Sequence, residues 1–172
     1  MERFKPTIYQ KSVYDIDYKK LKGKGIKCLV FDLDNTLGLL EHHVPPKKTS
    51  DLINKLKKDF IVVIISNNSK KRIKPYIESL DIDAIYWALK PSIIGLSRVK
   101  KNYHLAKEEM AIIGDQLVTD ILAGTRFKIT TILVDPMGKK DLKITALNRK
   151  IEEHILKKYQ KRHVLERGKY YE

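Results

Sequence analysis

Short, almost unbroken apolar runs alternate along the chain with stretches of mixed polarity. The runs are Ile26 to Phe31, Phe60 to Ile65, about Ala84 to Leu89, Met110 to Ile113 and Thr130 to Val134. They are rich in β-branched residues and apolar on successive positions, which is how strands covered on both faces read. The intervening segments Lys47 to Lys58, Lys70 to Ser79, Pro91 to Asn102 and Thr119 to Arg126 read as helices. A last helix, from about Thr145 to Tyr159, sets Leu147, Ile151, Ile155 and Tyr159 on one stripe, expected to pack on the sheet rather than on a membrane. Strands and helices in alternation, with short connections, predict an α/β protein: a Rossmann-like, five-stranded parallel sheet with helices on both faces. One domain is expected over residues 1–172, with its core at 26–135. A basic lead-in at 1–25, the least regular part, and a basic helical extension at 139–172 flank that core.

The chain has 172 residues, a length that suits one domain. Its 42% hydrophobic residues are enough for a core. No apolar run approaches the ~20 residues of a membrane-spanning helix, and none follows the charged N-terminus as a secretion signal would, so a cytoplasmic location is expected. Cys28, the single cysteine, excludes an internal disulfide and a multi-cysteine zinc site; within an apolar run it reads as a small core residue. Charge is unevenly spread, because residues 1–27 and 139–172 together carry +11 of the net +14. Such flanks suit either a polyanionic partner, whether nucleic acid or an acidic lipid surface, or simply a solvated lysine-rich exterior.

Polar residues stand where the predicted strands end, which is where open parallel sheets bind ligands. Asp32 and Asp34 are two apart after the first strand, so period-two alternation would send both carboxylates to one side. Two ionised acids there call for a proton or a cation. Asp115, after the fourth strand, would add a third carboxylate, and hard oxygen donors without His or Cys suit Mg²⁺. Asp120 could support that group, or with Thr119 simply cap the next helix. Ser66 and Asn67 could cradle an anion ahead of a helix opening at Ser69, or form a Ser/Asn turn capped by Ser69. Lys90 adds a cation before Pro91, which is expected at the first helical position. An isolated lysine or aspartate in such a place is ordinarily a solvated or capping residue. The set, at four successive strand ends, describes a metal-assisted phosphoryl site.

Asp32-Leu33-Asp34-Asn35-Thr36-Leu37, Ser66-Asn67, Lys90 and Gly114-Asp115 through Thr119-Asp120 resemble the four motifs of the haloacid dehalogenase (HAD) superfamily, in order, across residues 26 to 135. The form of the last motif, Ser66-Asn67-Asn68, and the lead-in Ser12-Val13-Tyr14-Asp15-Ile16 are similar to subfamily IIIA and its YqeG-like phosphatases, a group similar to phosphatidylglycerophosphate phosphatase. The resemblance implies Asp32 as a nucleophile forming an aspartyl-phosphate. It implies Asp34 as general acid and then base. It further implies Asp32, the backbone carbonyl of Asp34, and Asp115 as Mg²⁺ ligands, with Asp120 in support, and Ser66, Asn67 and Lys90 as phosphate-binding groups.

Superfamily lids are inserted after the first motif or between the second and third, and neither interval here has room for a cap domain. An open site favours a large substrate, such as a lipid headgroup in a bilayer, a phosphoprotein or a nucleic-acid end. The leading expectation is a phosphatase acting on phosphatidylglycerophosphate, the basic flanks giving peripheral association with the inner face of the membrane. Lys70, Lys71, Arg72 and Lys74 could attract the substrate, or form an exposed helix face, while His42 and His43 read as loop residues. A phosphatase for a soluble phosphoester, phosphoprotein or nucleic-acid phosphate is the alternative. A non-enzymatic nucleic-acid-binding protein is the third reading, opposed by the intact acidic set and the lack of a nucleic-acid motif.

Overall fold

A computed structural model describes residues 2–138 and 143–172, with side chains to 138 and again from 148. In chain order the elements are β1 (Ile8–Gln10), α1 (Tyr18–Gly23), β2 (Cys28–Phe31), α2 (Lys47–Leu56), β3 (Ile61–Ile65), α3 (Lys70–Leu80), β4 (Asp83–Ile85), α4 (Ile94–Asn102), β5 (Met110–Gly114), α5 (Leu122–Phe127), β6 (Thr130–Val134) and α6 (Lys143–Lys161). The strands form one sheet in the order β1-β6-β5-β2-β3-β4, every pair parallel.

The α/β sheet predicted from the apolar runs is present, with six strands instead of five. The additional strand, β1, lies in the lead-in and pairs with β6 at the sheet edge. Its three residues, Ile8-Tyr9-Gln10, are too few to show alternation. Tyr9 exchanges backbone hydrogen bonds with Tyr171 on its other side, so the C-terminal tail covers this edge. The strand expected at Ala84 to Leu89 is shorter and earlier, and residues 86–90 instead form an irregular loop. Pro91 lies in a turn, where Ser92 N–H donates to the Leu89 carbonyl, and α4 begins three residues later.

Alternation within the strands divides the core in two. Leu29, Phe31, Val62 and Ile64 face α2 and α3, meeting Ile53, Leu56, Ile73 and Tyr76. Cys28, Val30, Val63 and Ile65 face α4 and α5, meeting Leu96, Val99, Ala123 and Phe127. Cys28 is fully buried, and burial pushes its thiol up to about 12, the behaviour of an inert core residue.

The C-terminal helix α6 packs as expected, with Ile155 and Tyr159 against Leu133 of β6 and Tyr9 of β1. Its inner face is rotated from the predicted stripe. Ile151 is exposed, whereas Glu152 is buried, and the side chain of Leu147 lies outside the described residues. Two charged residues one turn apart, Arg149 and Glu152, are thereby carried inward toward the carboxyl ends of the strands.

Candidate active site

The site is built at the carboxyl edge of the central strands. Asp32 follows β2 directly, its N–H donating to the Ile113 carbonyl of β5 at 2.8 Å, so sheet pairing fixes its backbone. Asp115 follows β5. Asp120 belongs to a π-helical turn, Leu117–Ile121, that leads into α5. Carboxylate oxygens of Asp32, Asp115 and Asp120 lie within 4.8 Å of one another, and all three residues are buried. Asp120 gets this close because Gly114 has no side chain: a Cβ there would stand 2.3 Å from the Asp120 carboxyl carbon.

Lys90 reaches into this group from the loop after β4. Its Nζ donates to Asp32 Oδ1 at 2.5 Å, to Asp120 Oδ1 at 2.6 Å and to the Ile65 carbonyl at 3.1 Å, using all three of its protons. The side chain is 3% exposed. Burial alone would lower the lysine pKa, but Asp120 and Asp32 reverse that and hold the ammonium charged beyond its ordinary range. Thr36 donates from Oγ1 to Asp115 Oδ1 at 3.2 Å.

Alternation does not extend to Asp34, in contrast to the expectation that Asp32 and Asp34 crowd together. The strand ends at Phe31, and the Leu33 carbonyl accepts from Thr36 and Leu37 N–H, which turns the chain. Asp34 therefore faces α3. Its Oδ1 accepts from Arg72 Nε at 3.1 Å and Nη2 at 2.7 Å, and its Oδ2 accepts from Asn68 Nδ2 at 2.6 Å. Arg72 also donates from Nη1 to the His42 carbonyl at 2.5 Å, tying down the loop after β2. It is thus separated from its neighbours Lys70, Lys71 and Lys74, which remain exposed. His42 accepts the Leu39 N–H on Nδ1 at 3.3 Å, a loop role as read from the sequence.

Ser66 is buried, and its Oγ accepts the Asn68 N–H at 3.1 Å, so the Ser/Asn turn exists. Ser69 stands at the N-cap of α3, yet its side chain makes no capping bond. Asn67 is exposed and its amide grips the Lys90 backbone in both directions, donating to the carbonyl at 2.9 Å and accepting the N–H at 2.7 Å. That clasp sets where the Lys90 side chain begins. Asp120 joins the acidic group, its Oδ1 receiving Lys90, but it does not cap the next helix: its Oδ2 accepts the N–H of Gln116, which precedes it, at 3.2 Å, and α5 begins without a side-chain cap.

Sequence reasoning did not find Arg149. From α6 its Nη2 donates to Asp115 Oδ2, its Nη1 to the Asp115 carbonyl at 3.1 Å and to Glu152 Oε2 at 3.1 Å. Nothing in the local pattern separates Arg149 from the other basic residues of that helix.

Asp32, Asp115, Asp120 and Glu152 face two cations, Lys90 and Arg149, leaving two negative charges if all are ionised. Protonation is the response when no further cation is present. Burial raises the Asp32 pKa well above the usual carboxylate range; Lys90 opposes this, and Asp120 and Asp115 add to it. Burial likewise lifts Asp115 to about 6 and Glu152 to about 7, against the attraction of Arg149. Three clustered carboxylates, in a group of four acids that leaves two negative charges unmet, fit a divalent cation of the hard, oxygen-seeking kind. A cleft of about 450 Å³, lined by Lys57, Phe60, Asp83 and Tyr103, lies at the opposite end of the sheet and shares none of these residues.

Carboxylates and a buried lysine at the carboxyl edge of a parallel sheet are the arrangement of a haloacid dehalogenase-like hydrolase. A family model of that description matches residues 29–111, and one described as HAD-hydrolase-like matches residues 88–162. The cobalt-bound deoxy-D-mannose-octulosonate 8-phosphate phosphatase (YrbI) of Haemophilus influenzae shares the fold, with a TM-score of 0.54 at 19% identity over 80% of this chain and 90% of that one. A closer likeness is to the probable phosphatase YqeG of Bacillus subtilis (strain 168), 38% identical over 154 residues, 89% of this chain and 90% of that protein. The chain therefore belongs to the YqeG-like phosphatases of the haloacid dehalogenase superfamily. Phosphatidylglycerophosphate phosphatase 1, chloroplastic/mitochondrial, of Arabidopsis thaliana is 27% identical over 167 residues, covering 90% of this chain. The chain spans about half of that relative's length, 47%.

Proposed function

We propose that this phosphatase hydrolyses a phosphomonoester by nucleophilic attack of Asp32 on phosphorus, and that its substrate is phosphatidylglycerophosphate, converted to phosphatidylglycerol. The observation that carries the mechanism is the shared position of Asp32, Asp115 and Asp120 with Lys90 Nζ 2.5 Å from Asp32. An Asp32 oxygen forms a bond to phosphorus as the ester oxygen leaves, and Asp34 gives that oxygen its proton. Asp34 then takes a proton from water, whose oxygen displaces the aspartyl group and frees inorganic phosphate. Arg72 and Asn68 aim Asp34 throughout. Lys90, held by the Asn67 clasp, and Ser66 offset charge on the non-bridging oxygens.

Asp32, the Asp34 carbonyl and Asp115, with Asp120 in support, would hold Mg²⁺, which would supply the positive charge that lets an anionic nucleophile approach an anionic ester. The relatives named for phosphatidylglycerophosphate, together with the basic flanks and the lack of room for a cap domain, support the lipid substrate and peripheral association at the inner membrane face. Among the described residues no helix is long and apolar enough to cross a membrane.

The test is phosphate release from phosphatidylglycerophosphate in mixed micelles, by wild type and Asp32→Asn, with and without Mg²⁺. Release that needs both Asp32 and the ion supports the whole reading. Turnover of soluble esters without turnover of the lipid removes the substrate and keeps the mechanism, whereas full activity in Asp32→Asn removes the nucleophile.

A further inference from the structure

We propose that the rim of this active site is a membrane-inserting surface, in which Trp87, Leu89, Ile93 and Ile94 enter the interface of an anionic bilayer. The proposal deepens the lipid-phosphatase reading and rests on it for its purpose, though not for its physical basis.

Exposed apolar side chains are gathered at one end of the molecule. Ten large hydrophobic side chains are exposed among the described residues. Seven of them stand on segments leaving the carboxyl ends of strands: Val44 after β2, Tyr86, Trp87, Leu89, Ile93 and Ile94 after β4, and Met137 after β6. Trp87 and Leu89 are 60% and 65% exposed, which is unfavourable in water unless another surface covers them.

The loop carrying them is held in an uncommon conformation by the site itself. Trp87 and Leu89 have φ of 51° and 56°, a left-handed backbone that bulky residues rarely adopt. Asn68 accepts the Trp87 N–H on its carbonyl at 3.1 Å, Ser66 accepts the Ala88 N–H at 3.0 Å, and Asn67 clasps Lys90. Ala88 is consequently turned inward against α4, and its two large neighbours are turned out. Trp87 and Leu89 thus stand on the loop that carries Lys90 and is bonded to residues 66–68, so a surface that received them would meet the protein beside the proposed phosphate-binding groups.

Charge selects the occupant. Lys70, whose Nζ is 5.9 Å from the Tyr86 ring centroid, and the adjacent Lys71 are exposed beside the patch. Aromatic and aliphatic side chains flanked by lysines are the composition of an interfacial anchor, with the ammonium groups reaching headgroup phosphates. A second copy of this chain would bring +14 against +14. Nucleic acid would stack on Tyr86 and Trp87 but leave the aliphatic Leu89, Ile93 and Ile94 in water, whereas a bilayer interface takes all five.

Trp87 is the chain's only tryptophan, so its fluorescence reads the proposal directly. With vesicles of phosphatidylglycerol and phosphatidylcholine, its emission should shift to the blue, become protected from acrylamide, and be quenched by brominated acyl chains. Leu89→Ser combined with Ile94→Ser should lower vesicle partition by about tenfold or more, with the far-UV circular dichroism and the thermal midpoint unchanged as proof of folding. Unshifted emission, binding that leaves Trp87 open to acrylamide, or partition of the double variant equal to wild type would overturn the proposal. So would a blue shift that grows with protein concentration in the absence of lipid, which marks self-association. Insertion without hydrolysis of the lipid would remove the substrate and leave this surface standing; hydrolysis in micelles without insertion would do the reverse.

Discussion

Arg72 holds Asp34 with two nitrogens at once, Nε at 3.1 Å and Nη2 at 2.7 Å, both on Oδ1. A lysine can supply the charge but not that fork. Arg72→Lys is expected to lower kcat by roughly 10- to 100-fold through misplacement of the carboxylate proposed as acid and base. Mg²⁺ dependence should stay as in wild type, because the Asp32, Asp115 and Asp120 group is untouched. Steady-state kinetics across a Mg²⁺ titration checks both halves.

Lys90→Met removes the cation on which two buried carboxylates depend. Breaking a buried ion pair on one side costs about 3–5 kcal/mol, so metal-free protein should show a much lower denaturation midpoint. Added Mg²⁺ should restore part of this stability while the rate stays down by roughly 10²- to 10³-fold. Denaturant melts with and without the ion, alongside turnover, separate the two effects.

Glu152 makes the metal-free protein sensitive to pH. Its pKa is raised from 4.5 to about 7, chiefly by burial. A carboxyl group whose folded value is raised favours the fold while protonated. Its contribution is therefore full below the unfolded value of 4.5 and is lost as pH climbs through about 7. Asp115, lifted to about 6, acts in the same direction. Metal-free protein should thus weaken by on the order of 2 kcal/mol between about pH 5 and 7, and Glu152→Gln should flatten much of that slope. Thermal melts at several pH values in a chelator would show it.

A divalent cation should reverse the same trend. At a hundredfold excess over Kd, Mg²⁺ should add about 2.7 kcal/mol to unfolding free energy, and Asp115→Asn should abolish most of the gain. Protons compete for Asp115 near its value of about 6, so the Mg²⁺ needed for half-maximal stabilisation should rise as pH falls below that point. Calorimetry across a pH series measures it.

Strand-end motifs were legible in the sequence because buried parallel strands write themselves as apolar runs, and the polar residues that break those runs must sit at the edge. Asp32 and Asp115 follow from that logic, and Asp120 joins them through the short turn after β5; Lys90 was placed by it at the end of a strand that stops at Ile85, and it reaches the site from the loop beyond. Asp34 escaped it, since pleat periodicity ended with β2 at Phe31. Strand β1 was hidden by its three-residue length, and Arg149 by distance, 34 residues beyond Asp115 on a helix crowded with similar charges. Arg72 was visible only as one of four basic residues, and its pairing with Asp34 is a tertiary contact across 38 positions. The exposed rim was disguised too: Trp87 and Leu89 read as strand core until the backbone turned them outward.

Gly114 contributes no functional group, yet one added methyl carbon would overlap the carboxyl of Asp120. Gly114→Ala should therefore silence phosphate release while every acid and base named above is still encoded. Sequence variation at this position acts as a steric veto on the chemistry, and an inventory of reactive side chains would not detect it.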